Sequence, residues 1–361
     1  MITERDISQP QGEKSATKSL ENVRNKISSK YFKSNYKKAV LYIFIGTTFY
    51  FISILLLLYL YTINYYWFYP LGYFIAGTAV TSLFVLGHDC GHQSLLKNNK
   101  VNDLLGHIFF LAPIYPFYAW KYSHNAHHKH TNQLYTNQKN IYYDNAWIPL
   151  TTEVYLELKT ISPISAFIYK ICRYFPPIGS FFHNIITHYF IKKFNEVQRK
   201  KVISSYIFLI ASNLLIFILL LKYLGIFAFF HFYILPAVFF QFWMSIYTYQ
   251  HHTSETIQFY EKDEWTPYKA QIQSTYNSFF PRIISFLHFN IDVHTPHHLS
   301  TAIPSYYLRD AYEELKASPY GLDLLEAKFS IQYYIQQIMN CHLWDRKERR
   351  YKRFSNVERV D

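Results

Sequence analysis

Cysteine is scarce in this chain. Cys90, Cys172 and Cys341 are the only three among 361 residues, and no two lie close together. That excludes a disulfide framework and a cysteine-based zinc ribbon, and reduced thiols fit a cytosolic side. A secretory signal peptide is not expected, because the first apolar run begins near Ala39, behind a long polar and basic lead. No repeat at solenoid periods is visible. Acidic residues are the minority, 24 against 36 Lys and Arg, for a net charge of +12. The surplus lies beside apolar runs, so membrane topology accounts for it and no nucleic-acid partner is expected.

What is plentiful is apolar and aromatic. Half of the residues are hydrophobic and 20% are aromatic. An AT-rich genome raises Tyr and Phe, and amphipathic rings also favour a membrane–water interface. A spanning helix needs about 20 apolar residues. Four segments qualify, at about 40–61, 67–86, 202–221 and 225–249, with Pro236 as an expected kink in the fourth.

The links between spans one and two and between spans three and four hold a single basic residue, Lys222, whereas the lead, the middle segment and the C-terminal segment are rich in Lys and Arg. The positive-inside rule therefore puts both termini and the middle segment in the cytosol. Two further apolar stretches, 106–120 and 161–190, are too short or too interrupted by Pro, Lys and Arg to span, and read as helices lying in the interface. The expected fold is an all-α integral membrane protein: four transmembrane helices, a cytosolic helical cap at 87–201 and 250–325, and interfacial helices. Residues 1–38 read as a mobile basic segment, 39–325 as the functional domain, and 326–361 as a basic tail.

Seventeen histidines are present, and most are clustered. His88 and His92 close the second span. His124, His127 and His128 form one H-x-x-H-H run, and His294, His297 and His298 form another. His251 and His252 follow span four. Spacings of three and four gather imidazoles on one helix face. Two chance H-x-x-H-H copies are expected in roughly one of a thousand chains this long. Neutral imidazole suits iron, zinc, copper or nickel. With one residue taken from the last pair, nine convergent imidazoles exceed what one ion binds, so two ions are expected, and topology lets all four clusters meet on the cytosolic side. Asp89 and Asp292 stand beside cluster histidines and could accept a ring N–H, fixing the tautomer. His288 is a further candidate for such a supporting contact.

These clusters resemble the membrane fatty acid desaturase family over roughly residues 35–325. The resemblance rests on HDCGH at 88–92, SHNAHHKHTN at 123–132 and DNAW at 144–147. It extends through FWMSIYTYQHHT at 242–253 and FNIDVHTPHHLSTAIPSYYLR at 289–309. The flanks are similar to acyl-lipid desaturases of bacteria and plastids acting at Δ12 (ω-6). The resemblance implies four membrane helices under a cytosolic cap and a di-iron centre. Its implied ligands are His88, His92, His124, His127, His128, His294, His297 and His298, with a ninth directly before a threonine, which selects His252 over its neighbour His251. It implies O2 as co-substrate, a membrane lipid acyl substrate, and a cis double bond and water as products. No HPGG-type haem motif occurs, so electrons are expected from a separate ferredoxin or cytochrome b5. In a bacterium the location would be the cytoplasmic membrane.

Two other readings compete. A hydroxylase or ketolase on the same scaffold also uses clustered histidines. A histidine-rich metal transporter or receptor should carry ionisable ligands at mid-membrane depth, and the four spans are nearly free of them.

Overall fold

The computed structural model describes residues 18–134 and 147–358. Asp144, Asn145 and Ala146 of the DNAW segment, and residues 1–17 of the lead, lie outside the described residues. Among the described residues, four helical segments are long and apolar enough to cross a membrane: Tyr36–Thr62, Tyr66–Gly91, Glu196–Leu224 and Ile226–His252. They coincide with the expected spans and run further at several ends, because the helices continue into polar sequence beyond the hydrocarbon core. Helix α2 (Tyr36–Thr62) starts at Asn35, whose side chain accepts the Lys38 N–H. Helix α9 (Glu196–Leu224) opens with a reciprocal Asn195–Gln198 capping box. It ends at Gly225, whose φ of +87° suits a residue without Cβ.

Helix α3 (Tyr69–Gly91) is the central post, buried along most of its length, while α9 faces outward. Gly72, Ala76, Gly77, Ala79 and Ser82 give α3 a small-residue surface on which α2 and α11 (Leu235–His252) close tightly. The fourth span is not simply kinked at Pro236. A short helix α10 (Ile226–Phe229) passes into a π-helical stretch, Phe230–Ile234, and α11 follows with the proline in its first turn. Widening the preceding turn takes up the clash that the proline ring would otherwise make.

The stretch 106–120 departs from the expected interfacial helix. It is split between α4 (Asn99–Phe109) and α5 (Phe117–His130) by a turn containing Pro113 and Pro116. Phe109, Phe110, Phe117 and Trp120 point into the protein core. Notches in the neighbouring helices explain why. A Cβ added at Gly87 would meet the Phe110 ring at 2.4 Å, and one at Gly106 would meet Phe117 at 2.1 Å. The stretch 161–190 forms α7 (Pro163–Tyr174) and α8 (Pro176–Tyr189), preceded by α6 (Thr152–Ile161). Its Ile164, Phe167, Phe181, Phe182 and Ile185 are exposed.

The chain is mostly helical but not purely so. Strand β1 (Tyr276–Phe279) pairs in parallel with β2 (Leu325–Lys328), and β3 (Leu343–Asp345) pairs antiparallel with β4 (Arg350–Lys352). The boundary expected at 325 therefore cuts through a strand, and the sequence after it is not a loose tail. Trp344 and Phe354 are buried, and the buried Arg173 guanidinium donates to Trp147 O and Cys341 O. The N-terminal segment is likewise anchored from residue 18 onward. Short helix α1 (Leu20–Arg24) buries Val23, and Arg24 donates to Leu299 O at 2.9 Å. Apolar side chains interleaved with the basic ones, such as Val23 and Ile27, supply that anchoring.

Candidate metal centre

Each histidine cluster reaches the centre from a different element. His88 lies in the last turn of α3 and His92 is its C-cap residue. His124, His127 and His128 lie on α5, and His251 and His252 end α11. His294 is the N-cap residue of the short helix α13 (Thr295–Leu299), which carries His297 and His298.

Two sets of nitrogens converge. His88, His92, His124 and His297 form one, and His127, His252 and His298 the other, with ligand atoms in each set within 4.8 Å of one another. His88 Nε2 is 3.2 Å from His297 Nε2, and His128 Nε2 is 3.3 Å from His124 Nε2. His294 Nε2 is 3.2 Å from His252 Nε2 and 2.9 Å from His298 Nε2. His128 thus joins the first set and His294 the second. The clusters do not map one to each set: in the second and third the two histidines four apart, His124 with His128 and His294 with His298, stay together, while His127 and His297, off that line on the helix, turn to the other set.

A neutral imidazole has one N–H to give. Nine rings facing one another, six of them buried and three half-buried, cannot satisfy each other with hydrogen bonds, so the donor set suits cations. Bonds of about 2.1 Å to a common ion place neighbouring nitrogens roughly 3–4 Å apart, and the Nε2 separations above match that. Burial, reinforced by the neighbouring rings, pushes His92, His128, His294, His297 and His298 well below the usual imidazole range. They are therefore neutral, the form that binds metal.

Of the expected supporting residues, Asp89 lies beside a histidine of the sets, whereas Asp292 and His288 make their contacts elsewhere. Asp89 Oδ1 lies 3.2 Å from His88 Nδ1, and its Oδ2 accepts the Ser305 N–H at 2.7 Å. Asp292 does not reach a histidine. It accepts from Ser285 Oγ at 2.7 Å and Phe280 N–H at 3.1 Å, and pairs with Arg309 at 3.3 Å. The turn carrying it folds back on β1 and α12 (Arg282–Leu287), which directs its carboxylate away from α13. His288 also stands one residue further out. Its Nδ1 meets Tyr247 OH at 2.7 Å, its ring packs on Trp243, and burial pushes its imidazole down to about 3. Tyr247 in turn lies beside His251.

Gln271 and Asn277 gave no signal in the sequence. Gln271, in a π-helical stretch Lys269–Gln273, accepts the His298 Nδ1–H and donates to His128 O, so it ties the second cluster to the third. Accepting at Nδ1 leaves the lone pair on Nε2. Asn277 Oδ1 accepts the N–H groups of His294 and Thr295, both at 2.9 Å, and so fixes the start of α13. A lone Gln or Asn in polar sequence has no periodicity to mark it. Gln271→Leu keeps the bulk and removes both contacts. It is expected to weaken metal retention about 10–100-fold against a competing chelator, while Gln271→Glu, which keeps the acceptor, loses less. Equal retention in wild type and Gln271→Leu would show the contact to be incidental.

The remaining histidines stand outside both sets. His107 bonds to Asp103 O and Ser205, His130 to Gln133 and His188 to Asn184. His183 faces Thr187, His342 bonds to Ile338 O, and His231 sits among Tyr61, Tyr69 and Tyr73.

Trp120 stacks on His124 at 4.5 Å and walls the centre from the Phe84–Phe110 core. A cavity of about 610 Å³ reaches the centre at His92, His128 and His298, and Arg24, Lys121, Lys129 and Trp265 also line it. A second, of about 380 Å³, is almost wholly apolar and runs among Tyr50, Ile54, Leu83, Phe109, Ile216 and Phe232.

Comparison with known proteins agrees with this geometry. The model of the fatty acid desaturase family matches residues 64–328. An sn-1 oleoyl-lipid 12-desaturase of Picosynechococcus sp. is 39% identical over 277 residues, 76% of this chain and 76% of that protein. One from Synechocystis sp. is 38% identical over 291 residues, 81% of this chain and 80% of that protein. A chloroplastic omega-6 fatty acid desaturase of Arabidopsis thaliana is 34% identical over 281 residues, 77% of this chain and 60% of that protein. The match runs from the approach to α3, through every histidine cluster, to the end of β2, and the chain belongs to the fatty acid desaturase family.

Proposed function

We propose that this membrane oxidoreductase introduces a cis double bond at Δ12 of a monounsaturated acyl lipid. The observation that carries the reading is the pair of converging imidazole sets at the ends of the spans, in a chain whose relatives are named for 12-desaturation of oleoyl lipid. His88, His92, His124, His128 and His297 would hold one iron, and His127, His252, His294 and His298 the other. A di-iron pair supplies O2 activation for removing two hydrogens from an unactivated methylene pair. The chain's own residues hold neutral nitrogens in place, set tautomers through Gln271 and Asp89, and keep the surroundings dry with Trp120 and the aromatic core.

The cap and both termini face the cytosol in this reading, and α7 and α8 lie in the interface with Phe167, Phe181 and Phe182 towards lipid. The apolar cavity between the spans suits an acyl tail. Leu83 in its wall lies five residues before His88, about 7.5 Å along the helix. Electrons come from a ferredoxin or a separate cytochrome b5. The larger cavity supports this, since its lining includes Arg24, Lys121 and Lys129 and no carboxylate, and an acidic carrier would meet it favourably.

The test is a fatty acid profile. The protein is expressed with a matching ferredoxin in a host that makes monounsaturated lipids, and double bonds are located by mass spectrometry. A Δ9,12 diene that disappears with His297→Ala is the expected result. A hydroxylated or keto product would assign the scaffold's other chemistry instead, and no new product from iron-loaded protein given a reductant would refute desaturation.

A further inference from the structure

Helix α15 (Ile331–Asn340) is bolted to the cytosolic end of the fourth span. Its start is capped by Ser330, which accepts the Tyr333 N–H. Its inner face carries Tyr334 and Gln337, both buried. Tyr334 packs edge-on against Tyr249 at 5.8 Å, and Tyr249 OH donates to Gln337 O at 3.2 Å. Gln337 Nε2 donates to Thr253 O at 2.8 Å, and its Oε1 accepts from Gln250. These contacts fix the helix at the level of residues 249–253, where the span ends.

The outer face is apolar where water would favour charge. Ile331, Ile335 and Met339 are 59%, 52% and 49% exposed, and their spacing of four lines them up one turn apart. Gln332 and Gln336 border the stripe. The stripe does not stand alone. Ile338 on α15 and Ile284 on α12 pack into one cluster beneath Trp243 and Tyr247 of the fourth span. From that shared footing α12 turns Ile283 and Phe286 outward. On its other side α15 adjoins α7, which exposes Ile164, Phe167 and Ile168. Arg282 and Lys328, both exposed, flank the apolar residues as a headgroup layer would favour.

We propose that α15 is a membrane-contact helix whose Ile331–Ile335–Met339 stripe lies in the bilayer interface and continues the apolar belt of α7 and α12. Continuity with the spans and the flanking cations select lipid over a protein partner. Because Gln337 holds the carbonyl of Thr253, next to His252, the same contact anchors a segment of the proposed metal site. The inference rests on the membrane reading of the four spans.

The test is spin-label accessibility in the full-length protein, reconstituted in nanodiscs containing anionic lipid. Cys172 is changed to serine, and the buried Cys90 and Cys341 are kept. Single cysteines then replace Ile335, Ile210 in the outward face of α9, and Lys347 in the exposed turn between β3 and β4. The expected result is a ratio of oxygen to nickel-chelate accessibility at 335 severalfold above that at 347 and close to that at 210. A label at 335 that matches 347 while 210 reports lipid overturns the proposal and leaves the spans intact. A label at 335 shielded from both reagents identifies a protein partner and overturns it too. If 210 itself reports water, the membrane reading fails and the proposal with it.

Discussion

Replacing His252 by alanine is expected to eliminate diene formation and leave the purified protein short of iron, whereas replacing His251 by phenylalanine spares most of both. The two histidines are neighbours at the end of α11 and cannot be separated by spacing. Geometry separates them. His252 directs Nε2 to within 3.2 Å of His294 Nε2, and its ring lies 4.7 Å from His127 and 5.1 Å from His298. His251 instead lies flat on His294, with centroids 3.9 Å apart and planes 16° apart. A ring in that posture supports a ligand from its face, and phenylalanine preserves it. The buried His251 Nε2 makes no hydrogen bond, so the substitution strands no partner at that atom. Loss of a supporting contact costs about 10–100-fold in metal affinity or activity, and loss of a ligand should exceed that range. The measurements are diene yield and iron per protein by mass spectrometry. Abolished activity in His251→Phe with activity retained in His252→Ala would reverse the assignment.

The four spans were legible because apolar length is a one-dimensional property, and a bilayer enforces it. The histidine clusters were legible because three of them repeat short spacings, and the histidines in them turn towards the two converging sets. Their division between the two sets was not, because it depends on how α3, α5, α11 and α13 cross. His297 joins a set with His88, 209 positions away, while its neighbour His298 joins His252 and His127. The pairing of Tyr276–Phe279 with Leu325–Lys328 was hidden for the same reason. Strands of four residues, 45 or more positions apart, carry little pattern of their own. Asp292 misled because adjacency in sequence is a poor guide to reach. A residue two before a ligand can face the opposite way, and here it holds Ser285 and Phe280. The stretch 106–120 misled because its apolar residues look alike whether they meet lipid or protein. Only the glycine notches opposite Phe110 and Phe117 distinguish the two.

A further notch, at Gly77 where α3 crosses α11, carries the second large effect. A Cβ at Gly77 would meet Phe239 Cβ at 2.5 Å and the backbone at Phe239 and Phe240 at 2.9 Å. No rotamer relieves contact with backbone, so the helices must part. At Gly46 the added Cβ meets only the tips of Leu86 and Phe289, at 3.0 and 3.2 Å, which can turn aside. Alanine gains about 1 kcal/mol of helix propensity over glycine at either position. At Gly46 that gain offsets the crowding, and Gly46→Ala should be near neutral. At Gly77 the clash outweighs it. Gly77→Leu, which overfills the crossing further, should cost about 3 kcal/mol or more. The damage should reach the metal site, because α3 carries His88 and His92 while α11 carries His252. Both ligand sets depend on how closely these two helices approach. The expected readout is a lower unfolding temperature in detergent for Gly77→Leu, with iron content falling in the fraction that still folds. A Gly77→Leu protein as stable and as iron-rich as Gly46→Ala would mean that α3 and α11 do not cross there.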